Sequence, residues 1–260
     1  MTTPGTHVYD HVDQDSVWQP QIRGDSLLAD EVHIWLADLD LEVFALPKYL
    51  RDLSLTERTR AQRLRFDHDR RRFVVAKGLL RQLIGEYLRI DPHDIQFTPG
   101  PSGKPELAKR LQDHHGPLCF NQAHSSHMGI FAFCRNRRVG IDLEEIRPFH
   151  DLHQIAELLF SSCELEAFRR LPEEEEKKQA FFMAWTHKEA FVKALGKGIS
   201  LPLSHFEISR LHTDLSRVVQ NHHHPPDQLE WFIRNIPISP QFAAAVCVEG
   251  DGWSLRCCKW

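Results

Sequence analysis

The chain has 260 residues, enough for one large domain or two small ones around a buried core. Its 26% charged and 42% hydrophobic residues are an ordinary globular mixture, which excludes a largely disordered chain, a collagen and a membrane channel. With 32 Lys and Arg against 36 Asp and Glu the net charge is -4, whereas a general nucleic-acid binder is usually basic.

Residues 1–30 are polar and hold Pro4, Gly5, Pro20 and Gly24, which reads as a loose lead-in. No secretory signal is visible between Met1 and Pro20, and no stretch approaches the roughly 18 apolar residues of a membrane span. The cysteines at 119, 134, 163, 247, 257 and 258 form no Cys-x-x-Cys pair, and adjacent Cys257 and Cys258 suit a disulfide poorly. A cytoplasmic chain with reduced thiols is the expectation.

Val32 to Leu36 alternates as a strand does, and Thr56 to Leu88 reads as helix, broken near Asp67–Asp69. Asp94 to Phe97 fits a short strand. Three prolines and two glycines make Pro99 to Pro105 a loop. Leu118–Gln122 and Met128–Phe133 read as strands around a turn at Ala123–His127, followed by the strand Val139–Glu144. Leu152–Leu159 and Glu164–Leu171 are short helices. Pro172 opens a long helix with Glu173–Glu176 in its first turn and Gly196 at its stop. Phe206–Ile208, Leu229–Ile233 and Phe242–Val248 complete the strands. The order repeats as pattern, not as sequence. It suggests an N-terminal half at 31–135, with the basic segment and the Gly-Lys-Pro loop, and a C-terminal half at 136–260.

Four features bear chemistry. Asp142 and Glu144 are two apart in a strand and share a face, where a hard cation such as magnesium would relieve their repulsion. A solvated strand end explains an isolated Asp-x-Glu equally well. Glu189 and Lys193, four apart, lie together beside the helical stripe of Phe181, Trp185, Val192 and Leu195. A surface pair of about a few tenths of a kcal/mol is the plain alternative. Residues 51–81 carry ten basic side chains against four acidic ones, enough to grip phosphate or simply to solvate a helix face. Lys104 in its proline loop and His124 in its turn could face a phosphate or only solvent and backbone. His222–His224 stand beside Pro225-Pro226 and read as a loop.

Together, Gly103-Lys104-Pro105, Phe120-Asn121-Gln122-Ala123-His124-Ser125, Val139-Gly140-Ile141-Asp142-Leu143-Glu144 and Trp185-Thr186-His187-Lys188-Glu189-Ala190-Phe191-Val192-Lys193 form an ordered set. Gly196 to Leu203 follows them. The set resembles the 4'-phosphopantetheinyl transferase superfamily, in its longer Sfp-type branch, across roughly residues 55–210.

The resemblance implies transfer of the phosphopantetheine arm of coenzyme A to a serine of an apo acyl, peptidyl or aryl carrier protein. 3',5'-ADP is released and magnesium is required. It implies an α+β fold, with two similar halves forming a pseudo-dimer in one chain, coenzyme A in the cleft between them, and a monomer that needs neither nucleic acid nor membrane. Asp142, Glu144 and Glu189 would hold magnesium, Glu189 would also be the base, and Lys193 would reach the same phosphates. Arg60 and His124 would meet the 3'-phosphate, Lys104 the nucleotide, and Arg72 would join them. Ala123 stands where many relatives have Ser, leaving only a backbone contact. His187 stands where an apolar residue is usual and is expected to face solvent. Another coenzyme A-using enzyme and a non-catalytic carrier-binding module are the rival readings. Magnesium dependence separates the first, and the retained carboxylates oppose the second.

Overall fold

A computed structural model of the chain describes residues 18–20, 26–100, 103–196, 201–210, 215–220 and 230–260. The strands are β1 (Trp18–Pro20), β2 (Glu31–Asp38), β3 (Phe97–Pro99), β4 (Pro105–Leu107), β5 (Leu118–Ser125), β6 (Met128–Arg135), β7 (Val139–Glu145), β8 (Phe206–Arg210), β9 (Leu215–Gln220), β10 (Trp231–Asn235), β11 (Phe242–Glu249) and β12 (Ser254–Lys259). The helices are α1 (Leu46–Asp52), α2 (Leu55–Gln62), α3 (Asp67–Leu88), α4 (Lys109–His115), α5 (Leu152–Leu159), α6 (Ser162–Arg169) and α7 (Glu174–Leu195).

Two five-stranded sheets lie face to face, one ordered β1-β12-β2-β6-β5 and the other β7-β11-β10-β9-β8. Period-two alternation builds the layers. From β2, Val32, Ile34 and Leu36 enter the core between the sheets, where Ile130, Ile141 and Val246 meet them. Trp35 and Ala37 turn the other way, onto Leu79, Leu80 and Leu83 of α3. On the outer face of the second sheet, Trp231, Ile233 and Cys247 pack against Ala190, Phe191 and Ala194 of α7. Each half therefore sets one 22-residue helix on the outside of its sheet. The fold is α+β.

Several local readings shift. The helical break falls at residues 63–66, because Phe66 is extended and α3 begins at Asp67. Pro92–Asp94 is a short 3-10 turn, so the next strand starts only at Phe97 and pairs with Pro105–Leu107. Ala123 and His124 belong to β5. Antiparallel pairing with β6 runs to Ser125–Met128, leaving Ser126 and His127 as the turn. Pro172 precedes α7, which Glu173 caps with extended backbone, while Gly196 ends it in a left-handed conformation (φ 66). Local periodicity does not mark β4, β9, β12, α1 or α4. Within the presumed lead-in, Trp18–Pro20 pairs in parallel with β12, which itself runs parallel to β2 in the first sheet. Such long-range pairing leaves no mark on local periodicity.

All six cysteines are free. Among the described residues no helix is long and apolar enough to cross a membrane. Residues 1–17, Lys197–Ser200 and His222–His224 lie outside the described residues.

Candidate active site

The contact between β7 and α7 builds the centre of the site. Val139, Ile141 and Leu143 are buried between the sheets, so Gly140, Asp142 and Glu144 face α7. A Cβ at position 140 would stand 2.0 Å from the Ala190 carbonyl oxygen and 2.3 Å from the Ala194 nitrogen. Only glycine lets the helix lie this close. The approach brings Lys193 Nζ to 2.5 Å from Asp142 Oδ1.

Asp142 is 3% exposed, and its Oδ2 is buried without a hydrogen-bond partner among the described residues. Burial raises its pKa to about 7; Lys193 opposes the rise, and the charges of Glu144 and Glu189 add to it. Burial also raises Glu189, Lys193 again opposing and Glu144 adding. The three acids thus share one electrostatic neighbourhood. Among the described residues no three His, Cys, Asp or Glu side chains stand as a metal cluster, and Lys193 pairs with Asp142. The donor set still fits a hard cation: three carboxylates, one with an orphaned buried oxygen.

β5, at the edge of the first sheet, is tied to β7. Asn121 Oδ1 accepts the Ile141 N–H at 2.9 Å. Ser125 Oγ donates to Glu144 Oε2 at 3.1 Å and accepts the Glu145 N–H at 3.0 Å. These positioning roles of Asn121 and Ser125 were not read from sequence, although both residues lie in a quoted motif. Ala123 points its methyl group into the core between the sheets and does not line the cleft. His124 is exposed by residue surface, yet partial desolvation of its ring, then the Lys77 and Lys193 ammoniums, lower its pKa.

A cleft of about 870 Å³ runs between α2–α3 of the first half and the end of α7 in the second. It gathers four of the expected residues, Arg60, Lys104, Glu189 and Lys193. Lys77, one of the ten basic side chains of residues 51–81, lines it as well. Arg60 lies 5.5 Å and Lys77 5.9 Å from the centre of the Phe73 ring. Neither makes a hydrogen bond or ion pair among the described residues. Burial lowers Lys77 to about 8; Glu57 opposes this, while Arg60 and Arg81 add to it. Arg81 is committed elsewhere, to Glu57 Oε2 at 2.8 Å and to the Pro92 and Ile95 carbonyls at 3.0 and 2.9 Å.

Lys104 borders the cleft but donates to the Val139 and Lys193 carbonyls at 2.7 and 3.0 Å, and burial lowers it to about 8. It therefore clamps β7 to α7. Arg72 does not line the cleft; its Nε and Nη2 donate to Asp40 at 2.7 and 2.6 Å. His187 does not face solvent. It is 7% exposed, and its Nε2 lies 2.6 Å from Asn235 Oδ1, because this side of α7 covers the second sheet.

Residues 138–247 match the 4'-phosphopantetheinyl transferase superfamily, and residues 45–135 match the family described as 4'-phosphopantetheinyl transferase, N-terminal. The chain is 36% identical over 239 residues to the 4'-phosphopantetheinyl transferase HetI of Nostoc sp., covering 92% of this chain and 96% of that protein. It is 31% identical over 202 residues to the 4'-phosphopantetheinyl transferase Sfp of Bacillus subtilis, covering 77% of this chain and 84% of that one. A crystal structure of a holo-(acyl-carrier-protein) synthase from Bacillus anthracis in complex with CoA (3',5'-ADP) aligns at a TM-score of 0.36 and 20% identity, over 43% of this chain and 93% of that chain.

Proposed function

The chain belongs to the 4'-phosphopantetheinyl transferase superfamily, in its Sfp-type branch, and is an enzyme of that kind; on this premise we propose its substrates and the work of each residue. The phosphopantetheine arm of coenzyme A passes to a serine hydroxyl of an apo acyl, peptidyl or aryl carrier domain, and 3',5'-ADP leaves. The observation that carries this reading is Asp142, buried with one unpartnered oxygen and paired with Lys193, which lines a cationic cleft.

Asp142, Glu144 and Glu189 would hold magnesium. When bound, it supplies positive charge against the diphosphate as the phosphorus–oxygen bond breaks. Glu189 lines the cleft, within the acidic neighbourhood of Asp142 and Glu144, and takes the proton of the carrier serine directly or through water. Lys193 turns its ammonium to the phosphate oxygens. Arg60 and Lys77, uncommitted to protein partners, grip the 3'-phosphate from one side, with His124 near them. Lys104 borders the nucleotide and keeps α7 on β7. Both halves lie in one chain and together complete the cleft, so a monomer suffices.

The test is mass spectrometry of apo carrier domains incubated with the protein, coenzyme A and magnesium. The carrier gains one phosphopantetheine on its serine, and 3',5'-ADP appears in equal amount. An unmodified carrier across acyl, peptidyl and aryl classes, or transfer undiminished by a chelator, overturns the proposal.

A further inference from the structure

Cys119 on β5 and Cys134 on β6 are register partners. Directly opposed residues of an antiparallel pair have Cα atoms about 4.5–5.5 Å apart, inside the span that a disulfide bridges. Both side chains lie on the face turned to the second sheet. Cys134 Sγ donates to the Arg137 carbonyl oxygen at 3.1 Å. Lys104 acts on both sulfurs as a nearby cation, its ammonium anchored on the Val139 and Lys193 carbonyls. Cys134 is fully buried, whereas Cys119 is half-buried, so an oxidant from solvent meets Cys119 first. Phosphopantetheine transfer has no use for either thiol.

We propose that Cys119 and Cys134 form a modification site for hydroperoxides, at which Cys119 attacks the oxidant and Cys134 closes the disulfide. The electrostatics agree with this division of labour. The neighbouring Cys134 thiol, with Lys104 adding, lowers Cys119 below the ordinary thiol range despite its burial. The neighbouring Cys119 and burial hold Cys134 above that range. Cys247 also neighbours Lys104, but it is fully buried on the second sheet, and burial raises it far above that range.

The step balances. The Cys119 thiolate attacks one peroxide oxygen and breaks the O–O bond; the leaving hydroxide takes up a proton and departs as water, leaving a sulfenic acid. The Cys134 sulfur then attacks Cys119, the S–S bond forms, and the sulfenic hydroxyl leaves with the Cys134 proton as a second water. Two thiols are oxidised and one peroxide is reduced.

The full chain is treated with a small excess of hydrogen peroxide, the remaining thiols are alkylated, and the protein is mapped by mass spectrometry. The expected product is an intramolecular Cys119–Cys134 link that lacks two hydrogens and reverts with dithiothreitol. With Cys134→Ser, dimedone should label Cys119 instead, and Cys119→Ser should leave Cys134 alkylatable. Exposed Cys163 is the internal control for a thiol without a partner. The proposal is overturned if Cys119 stays alkylatable while Cys163 oxidises, if Cys119 links to another cysteine, or if it runs on to the sulfinic acid with Cys134 still free. None of these outcomes depends on phosphopantetheine transfer.

Discussion

Lys193 Nζ lies 2.5 Å from Asp142 Oδ1, so a single ion pair joins the last turn of α7 to the middle of β7. It holds one oxygen of a carboxylate whose other oxygen is buried and unpartnered. A divalent cation held there, as proposed, would compete with Lys193 for Asp142 and leave Lys193 available to substrate. Asp142→Ala should lower the single-turnover transfer rate by on the order of 10²-fold or more, the scale of a lost electrostatic group at a reacting phosphate. Chelation should do the same to the unaltered protein. Retention of half the rate by Asp142→Ala would remove the acid from the mechanism.

Gly140→Ala tests the close approach itself. Its Cβ would collide with backbone atoms of Ala190 and Ala194, which cannot rotate away. Overpacking of this kind costs about 1–3 kcal/mol or more, and for a chain of this size each kcal/mol lowers Tm by about 2–4 °C. Calorimetry should show that drop together with a loss of transfer, because α7 carries Glu189 and Lys193. An unchanged Tm would mean that the helix can move aside freely.

Lys188 is fully buried, with Nζ 2.7 Å from Glu164 Oε2 and 2.8 and 2.7 Å from the Leu203 and Phe206 carbonyls. Lys188→Met would strand two carbonyls and remove the cation from Glu164, which keeps the Ser161 and Ile208 N–H donors, and should cost about 3 kcal/mol in urea unfolding. Leu203 lines the cleft, so KM for coenzyme A should rise as well. A loss under about 1 kcal/mol would show that water replaces the ammonium.

Arg60 and Arg72 should separate clearly. Arg60 borders the cleft without a protein ion pair, and Arg60→Ala should weaken coenzyme A binding by roughly 10- to 100-fold, one charge-assisted contact. Arg72 is held by Asp40 outside the cleft, and Arg72→Ala should change Kd by no more than about 2-fold. Titration calorimetry with coenzyme A compares them directly. Equal losses would refute the assignment.

Lys77 gives the binding a pH dependence of known sign. Burial lowers its pKa to about 8 in the free protein, whereas a bound phosphate would favour the ammonium. Binding above that pH takes up a proton, so affinity should fall as pH climbs from about 7 to about 9.5. Lys77→Arg stays charged and should reduce the slope. A slope unaltered in Lys77→Arg would assign the proton to another group.

Local periodicity carried much of the site. A strand repeats every two residues, so Asp142 and Glu144 had to share a face. A helix brings residues four apart together, so Glu189 and Lys193 had to be neighbours. The stop at Gly196 followed from the same local rules. Other features stayed hidden because their partners are distant in the chain. Arg72 and Lys104 look alike as isolated cations in a loop or a basic run. Only folding gives one to Asp40 and the other to two backbone carbonyls. His187 sits on a helix that looks half-exposed until Asn235 arrives from β10.

By itself the sequence determined the motifs, their order, and the family they mark, since side-chain chemistry and short-range geometry are written residue by residue. The tertiary structure decided which cations stay free for a ligand, which acid is buried, and that β12 crosses back to the first sheet. Those outcomes depend on who occupies the space beside each group, and burial and pairing are properties of the assembled layers rather than of any stretch of chain.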